Sequence, residues 1–123
     1  MKTGENRSVR KVLFFGEGFE TYLSSCSEKT KKKFIMTFCL VEELSHVPMS
    51  KLKKLTDTNG LYEIRVKSEG NEHRALCLFD NDNALIVVTG FQKKSQKTPP
   101  QQIKNAQAKK RTYERIKNQN KNP

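Results

Sequence analysis

The sequence predicts an α+β protein whose helices pack on one antiparallel sheet. Two stripes of apolar residues spaced three and four positions apart in the N-terminal third indicate two amphipathic helices. Three β-rich runs separated by clusters of turn residues follow, and such short connections favour an antiparallel meander. The chain of 123 residues suffices for one domain with one modest core. The predicted order is strand, two helices, three strands and a last helix.

The N-terminal segment begins with a predicted strand over residues 9–15, which Gly16 and Gly18 end. The first helix carries an apolar stripe that consists of Phe19, Tyr22, Leu23 and Cys26. The second helix ends before Pro48 and has its own apolar face, which consists of Phe34, Phe38, Val41 and Leu44. A short turn between them predicts an antiparallel helix pair.

The central segment forms the predicted meander. Residues 51–55 lead into a turn at 57–60. The run LYEIRVK, residues 61–67, alternates apolar and polar positions, which indicates a strand with one buried face. The runs HRALCLF, residues 73–79, and ALIVVTGF, residues 84–91, are mostly apolar. The second of these is apolar on both faces and is therefore predicted to be a central strand.

The last helix is predicted to begin at Thr98. The Thr98 hydroxyl can cap the helix, Pro99 suits the first helical position, and Gln101 stands where a capping box places its Glu or Gln. We predict a single domain over residues 1–117 and a frayed polar tail over residues 118–123.

The net charge of +11 is distributed unevenly along the chain. Residues 93–123 contain ten basic residues and one acidic residue, whereas residues 51–92 contain six of each. A basic segment of this kind favours a nucleic-acid partner, because Lys and Arg that neutralise phosphates release counterions. An acidic protein partner and a simply solvated helix and tail are the alternatives.

Several classes of function lack support in the sequence. No apolar run approaches the roughly 20 residues of a membrane span and no secretory signal opens the chain, so a cytoplasmic protein is expected. The three cysteines form no C-x-x-C pair and are predicted to be small buried thiols. The motifs of nucleotide-binding and zinc-protease sites are absent from the sequence, so we expect neither a metal nor another cofactor.

A lysine cluster stands where the last predicted strand meets the last helix. Lys93, Lys94 and Lys97 precede a helix N-terminus, where each extra positive charge is unfavourable by about 0.3–1 kcal/mol. A bound phosphate would remove this conflict and would accept hydrogen bonds from the first turn of the helix. Three cations on the meander can converge on the same cleft: Arg65, Lys67 and Arg74.

Three segments, GLYEIRV, HRALCLF and IVVTGFQKKSQKTP, precede a helix with an early Ala. Together they resemble the RelE/HigB superfamily, and most closely its phage-derived, HigB-like branch, over roughly residues 55–111. The resemblance implies a RelE/ParE-like antiparallel sheet with a C-terminal helix, and a toxin of a type II toxin–antitoxin system. Such toxins are ribosome-dependent endoribonucleases, or mRNA interferases, that cut mRNA in the ribosomal A site and so inhibit translation.

The resemblance also implies roles for particular residues. Arg65, Arg74, Lys93 and Lys94 would orient the scissile phosphate and stabilise charge while the neighbouring 2′-OH attacks. An Arg74→Ala variant is therefore expected to lose toxicity while it stays folded. The catalytic tyrosine of some relatives has no secure match in this chain. Glu63 and His73 are then the candidates for the general acid or base.

Further basic residues are expected to contact RNA by charge. They are Lys67, Lys97, Lys109, Lys110, Arg111 and Arg115, together with the run Lys31–Lys33. The expected partners are the ribosome, mRNA and an antitoxin of helix-turn-helix type encoded beside the gene. Two other functions stay open, namely a ParE-like inhibitor of DNA gyrase, because a fold does not imply a function, and a non-catalytic RNA-binding module.

Overall fold

A computed structural model describes residues 8–81 and 83–121. The fold is α+β, as predicted, with a five-stranded sheet. In chain order, the elements are β1 (Lys11–Phe14), α1 (Gly18–Ser24), α2 (Glu28–Glu43), β2 (Leu52–Lys54), β3 (Leu61–Ser68), β4 (Asn71–Asp80), β5 (Ala84–Lys93) and α3 (Pro100–Lys121).

The sheet is mixed, so the prediction of a purely antiparallel sheet was wrong in one pairing. The strand order is β1-β5-β4-β3-β2, and β1 runs parallel to β5 with Lys11 opposite Ala84. The remaining pairs are antiparallel and include the predicted meander of β3, β4 and β5. Strand direction depends on where the chain returns after the two helices, and local pattern carries no information about that return.

The strand β2 was missed in the sequence. It has only three residues and pairs with β3 at the edge of the sheet, with Leu52 opposite Ile64. Lys53 and Lys54 are exposed, and lysines on a short edge strand discourage pairing with other chains. A run this short and charged shows no β pattern in isolation.

The helices cover both faces of the sheet. On the first face, α1 and α2 bury Phe19, Phe34 and Val41 against residues of the sheet such as Ile64 and Val87. On the second face, α3 packs through Ala106, Ile103 and Tyr113 onto another group of buried residues. That group consists of Leu61, Leu76, Leu78, Ala84, Ile86, Val88 and Phe91. Two apolar layers explain why β4 and β5 are apolar on both sides, and β5 is a central strand as predicted.

The close packing of α1 on β5 depends on Gly90. A Cβ atom at this position would lie 2.7 Å from Cδ1 of Phe19 and 2.9 Å from Cδ2 of Tyr22. Both distances are shorter than ordinary carbon contacts, so any side chain here would push the two rings away. The glycine thus lets the first helix lie directly on the central strand.

The N-terminus of α3 differs from the predicted capping box. The helix begins at Pro100, and the backbone N–H of Ile103 donates to the carbonyl of Pro99. The Thr98 hydroxyl does not cap the helix, because it donates to Oε1 of Glu63 at 3.1 Å. At the other end the helix runs through Lys121, beyond the predicted limit at residue 117, and residues 122–123 lie outside the described residues.

The side chain of Asp80 anchors the C-terminal half of α3 to the end of β4. Asp80 accepts hydrogen bonds from the Tyr113 hydroxyl and from the Lys117 ammonium group. The carboxylate is 5% exposed. An ion pair with so little contact with solvent holds the helix in one position along the strand.

The three cysteines are not all buried, contrary to expectation. Cys77 is buried within the sheet, Cys26 is partly buried, and Cys39 is exposed on α2. Burial raises the pKa of the Cys77 thiol, which makes this thiol unreactive. Cys39 lies on the outer, solvent-facing side of α2.

Candidate functional site

The polar half of the second sheet face forms an open cleft. Alternation along the strands places Glu63, Arg65 and Lys67 of β3 on the face that α3 covers, but the helix covers only the apolar half of that face. The charged half stays open. The resulting cleft has a volume of about 570 Å³. Its lining residues are Arg65, Glu72, Arg74, Lys93, Lys94, Ser95 and Gln96.

Pairing between strands brings these charges together. Arg65 stands directly opposite Arg74 in the β3–β4 pair, and Glu72 stands opposite Lys67 on one side and Lys93 on the other. The four residues to which a phosphate-binding role was assigned, Arg65, Arg74, Lys93 and Lys94, therefore line one cleft, as the sequence predicted.

Two arginines in direct opposition would repel each other without a carboxylate between them. The carboxylate of Glu63 lies between the two arginines, with Oε2 at 3.6 Å from Nε of Arg65 and Oε1 at 3.6 Å from Nε of Arg74. The Glu63 side chain is 3% exposed and also accepts the hydrogen bond from Thr98. Both of its oxygen atoms are thus engaged, which leaves little capacity for it to act as a general base.

Arg74 forms the floor of the cleft. Its NH1 donates to Oε1 of Glu72 at 3.1 Å and to the carbonyl of His73 at 3.0 Å. Its Nε has no hydrogen-bond partner within the described residues, because the 3.6 Å approach to Glu63 is an ion pair without hydrogen-bond geometry. The hydrogen bond from Arg74 is the main reason why the pKa of Glu72 lies below its ordinary value. A buried arginine of this kind supplies charge from beneath the cleft and holds its neighbours.

The lysines lie nearer to solvent. Lys93 is partly buried, and Lys94 and Lys97 are exposed on the segment that connects β5 to α3. The pKa of Lys93 is lowered, first by burial and then by the nearby positive charges of Arg74, Arg65 and Lys53, with Glu63 opposing the shift. A phosphate bound in the cleft would relieve this repulsion, so the positive potential of the cleft favours the binding of an anion.

His73 does not lie in the cleft, so its assignment as a candidate acid or base is not supported. Its side chain points to the opposite face of the sheet, where Nδ1 lies 2.5 Å from the Tyr22 hydroxyl and the ring packs edge-on against Phe34. Burial is the main reason that its pKa is lowered. The strand separates His73 from the cleft, because neighbouring side chains on a strand point to opposite faces and Arg74 points into the cleft.

Neutral His73 makes the stability of the fold depend on pH. Because its folded-state pKa is lowered, its contribution is complete above the ordinary value of about 6.5 and is lost as the pH falls from there to the folded-state pKa. Urea denaturation between pH 7.5 and pH 5 should show a decrease of at most about 1.4 kcal/mol per pH unit from this one proton. The variant His73→Leu should lose this pH dependence of the free energy of unfolding. The control His46→Gln, at an exposed site, should show the same pH dependence as the natural chain. An unchanged profile for His73→Leu would contradict the assignment.

The remaining predicted RNA contacts are scattered. Lys67 lies beside the cleft, 3.7 Å from Glu72, and Arg111 and Arg115 are exposed on α3. Lys109 lies against Gly18 at the start of α1, and Lys110 pairs with Glu114 at 3.0 Å. In the run Lys31–Lys33, Lys31 pairs with Glu28 and Lys33 donates to the carbonyl of Lys67. None of these basic residues is among those that line the cleft.

Two residues of the site were missed in the sequence. Glu72 pairs with Arg74 and Lys67, and its position becomes apparent only from the strand register. Thr98 joins the connecting segment to Glu63, although its position before a helix suggested a cap. Within residues 8–81 and 83–121, no cluster of three or more His, Cys, Asp or Glu side chains has the geometry to hold a metal ion. In the same ranges, no helix is both long and apolar enough to cross a membrane.

The sequence matches a family model over residues 21–111, from within α1 to within α3. The family is described as phage derived protein Gp49-like (DUF891). The chain belongs to this Gp49-like family. Its members are toxin-like proteins of toxin–antitoxin systems. The match includes every residue of the cleft. No curated protein matches the chain.

Proposed function

We propose that this Gp49-like protein is the toxin of a type II toxin–antitoxin system and acts as a ribosome-dependent mRNA endoribonuclease of the RelE/HigB kind. One observation carries the proposal: Arg65, Arg74, Lys93 and Lys94 come from β3, β4 and the end of β5 to one open cleft. Family membership supports the toxin assignment. The ribosome and mRNA are then its targets, and the cleft is its active site.

The cleft residues fit the binding of a phosphodiester. Lys94 and Lys93 at the rim and Arg65 at the side can donate to the non-bridging oxygens, while Arg74 adds positive charge from below. Contacts of this kind position the phosphate and stabilise the charge that develops on it. They also suit a substrate with a flexible, exposed backbone, because the cleft is open rather than enclosed.

The proposed reaction consumes no water molecule and needs no metal ion. The 2′-oxygen attacks the adjacent phosphorus, the bond to the 5′-oxygen breaks, and the products are a 2′,3′-cyclic phosphate and a 5′-hydroxyl. The proton of the 2′-OH passes to solvent, and one proton passes from the protein to the departing 5′-oxygen. Lys93 is the best candidate for the proton donor to the 5′-oxygen, because it lines the cleft and its pKa is lowered towards neutral pH.

Control of such a toxin requires an inhibitor in the same cell. We propose a cognate antitoxin, of helix-turn-helix type, encoded beside this gene. Co-expression followed by purification through a tag on this chain tests the pairing. The neighbouring gene product should co-purify and should restore growth; failure of both would remove the main support for a toxin–antitoxin pair.

The decisive test is cleavage of mRNA on purified ribosomes, with the 5′ ends mapped by primer extension. The natural chain should produce discrete cuts in the A-site codon, and Lys93→Gln/Lys94→Gln should not. The matched control, Lys11→Gln/Lys29→Gln, removes the same charge at exposed positions of β1 and α2 and should cut normally. Equal cutting by the two double variants would refute the proposed active site. RNA binding without any cutting would favour the non-catalytic module, and inhibition of gyrase would favour the ParE-like function.

A further inference from the structure

The outer face of α2 presents apolar side chains to solvent. The helix packs on the sheet through Phe34, Thr37 and Val41. On its other side, Ile35 is 56% exposed, Met36 is 64% exposed and Leu40 is 40% exposed, and Cys39 is exposed beside them. A group of exposed apolar side chains on so polar a chain is a candidate surface for binding another molecule.

An apolar groove of about 420 Å³ continues this face towards α1 and β1. Ile35 and Cys39 belong to both the groove and the outer face, and Phe14 of β1, which is 54% exposed, forms the opposite wall. The groove and the outer face therefore make one surface. It lies on the side of the sheet away from the cleft, because α1 and α2 pack on the first face and the cleft opens on the second.

Charges at the two ends of this surface are arranged in a self-complementary way. Lys32 lies towards the N-terminal end of α2 and Glu43 is its last residue, and both side chains are exposed. Neither forms an ion pair within the part of the chain that the structure describes. The apolar residues lie between them.

We infer that this surface binds a second copy of the same chain, with the two α2 helices antiparallel about a two-fold axis. When the two-fold axis crosses the outer face of α2 at the level midway between Thr37 and Phe38, Lys32 of each copy lies opposite Glu43 of the other. The same axis places Met36 opposite Cys39, while Ile35 of both copies lies on one flank of the contact and Leu40 of both copies lies on the other. Antiparallel helices further bring opposite ends of the two helix dipoles together, and a two-fold contact needs only one self-complementary patch.

The overall charge does not oppose this arrangement. Most of the net charge of +11 resides in residues 93–123, which form the end of β5, the connecting segment and α3. These elements lie on the far side of the sheet from the α2 surface, so the two basic faces point away from each other. The dimer thus goes beyond the proposed nuclease function and leaves both clefts open to RNA.

The expected dimer is weak, because one helix face from each copy makes a small interface. Sedimentation velocity on the full chain should show monomers and dimers in exchange, with a dissociation constant on the order of 10 μM. Lys32→Glu alone and Glu43→Lys alone each create two like-charge pairs and should weaken association at least about tenfold. The combined Lys32→Glu/Glu43→Lys variant restores opposite charges and should associate as the natural chain does.

The matched control is Lys104→Glu, which changes the net charge equally at an exposed site on α3 and should not affect association. In a Cys26→Ser background, mild oxidation should link the copies through Cys39, because 1.5 Å per residue along helices about 9 Å apart places the two Cα atoms roughly 6 Å apart. A monomer at concentrations up to about 500 μM overturns the inference and assigns the surface to an unlike partner. Failure of the combined variant to restore association also overturns it.

Discussion

Replacing Arg74 with Met is expected to lower the free energy of unfolding by about 3–5 kcal/mol, because a buried carboxylate would lose its closest buried cation. Arg74 is 2% exposed and Glu63 is equally buried, so solvent cannot replace the lost partner. Urea denaturation followed by circular dichroism measures the change. The sequence suggested that an Arg74→Ala variant would lose toxicity while it stays folded; the burial of Arg74 predicts instead that much of that loss comes from unfolding.

The control for this prediction is the double variant Glu63→Leu/Arg74→Met. Removal of both charges leaves no buried carboxylate without its cation, and Arg65, which is 30% exposed, can be solvated. The double variant should therefore be more stable than the sum of the two single effects predicts, with a coupling energy of about 1–3 kcal/mol. Additive losses would show that the pair contributes no mutual stabilisation.

Replacing Lys93 with Met is expected to reduce mRNA cleavage about 10²–10³-fold without destabilising the fold. A single positioned donor to a developing negative charge is worth about this much. The free energy of unfolding should stay the same or rise by up to about 0.5 kcal/mol, since the variant removes a cation that repels Arg74 and Arg65. Single-turnover cleavage on ribosomes and urea denaturation of the same preparation provide the two measurements.

The pH dependence of this stabilisation has a definite sign. The folded-state pKa of Lys93 is lowered, so its charge costs stability at every pH below that pKa. The cost disappears as the pH rises from the folded pKa to the ordinary value of about 10.4. Lys93→Met should therefore be most stabilising near neutrality and lose its advantage in alkali. The matched control, Lys104→Met, should alter neither cleavage nor stability. A destabilised or fully active Lys93→Met variant would contradict the role that we assign to this lysine.

Much of the candidate site could be predicted from local pattern. Alternation in LYEIRVK separated Glu63, Arg65 and Lys67 from Tyr62 and Ile64, because neighbouring side chains on a strand always point to opposite faces. The same rule places His73 and Arg74 on opposite faces of β4. The place of Lys93 and Lys94 at the end of the last meander strand then suggested that they share a cleft with the arginines. None of these inferences required knowledge of which strand pairs with which.

The rest depended on contacts between distant parts of the chain. The sequence offered Glu63 as a candidate general acid or base, and only the register that sets Arg65 opposite Arg74 shows that it is held between two cations. The sequence predicted Thr98 as a helix cap, but in the structure its hydroxyl donates a hydrogen bond to Glu63, 35 residues away. Its position before the helix favours the backbone N–H groups of the first turn as partners of the Thr98 hydroxyl. In the folded chain this hydroxyl donates to the Glu63 carboxylate instead.

The sequence by itself determined the type of every element except β2, the two-sided apolar character of β5 and the face of β3 that carries charge, because each of these follows from the order of neighbouring side chains. Only the tertiary structure decided that β1 runs parallel to β5 and that helices cover both sheet faces. It also decided that α3 stops short of the charged half of its face, which leaves the cleft open. Strand direction, register and helix coverage are set by which distant surfaces bury the most apolar area together, and no local pattern records that choice.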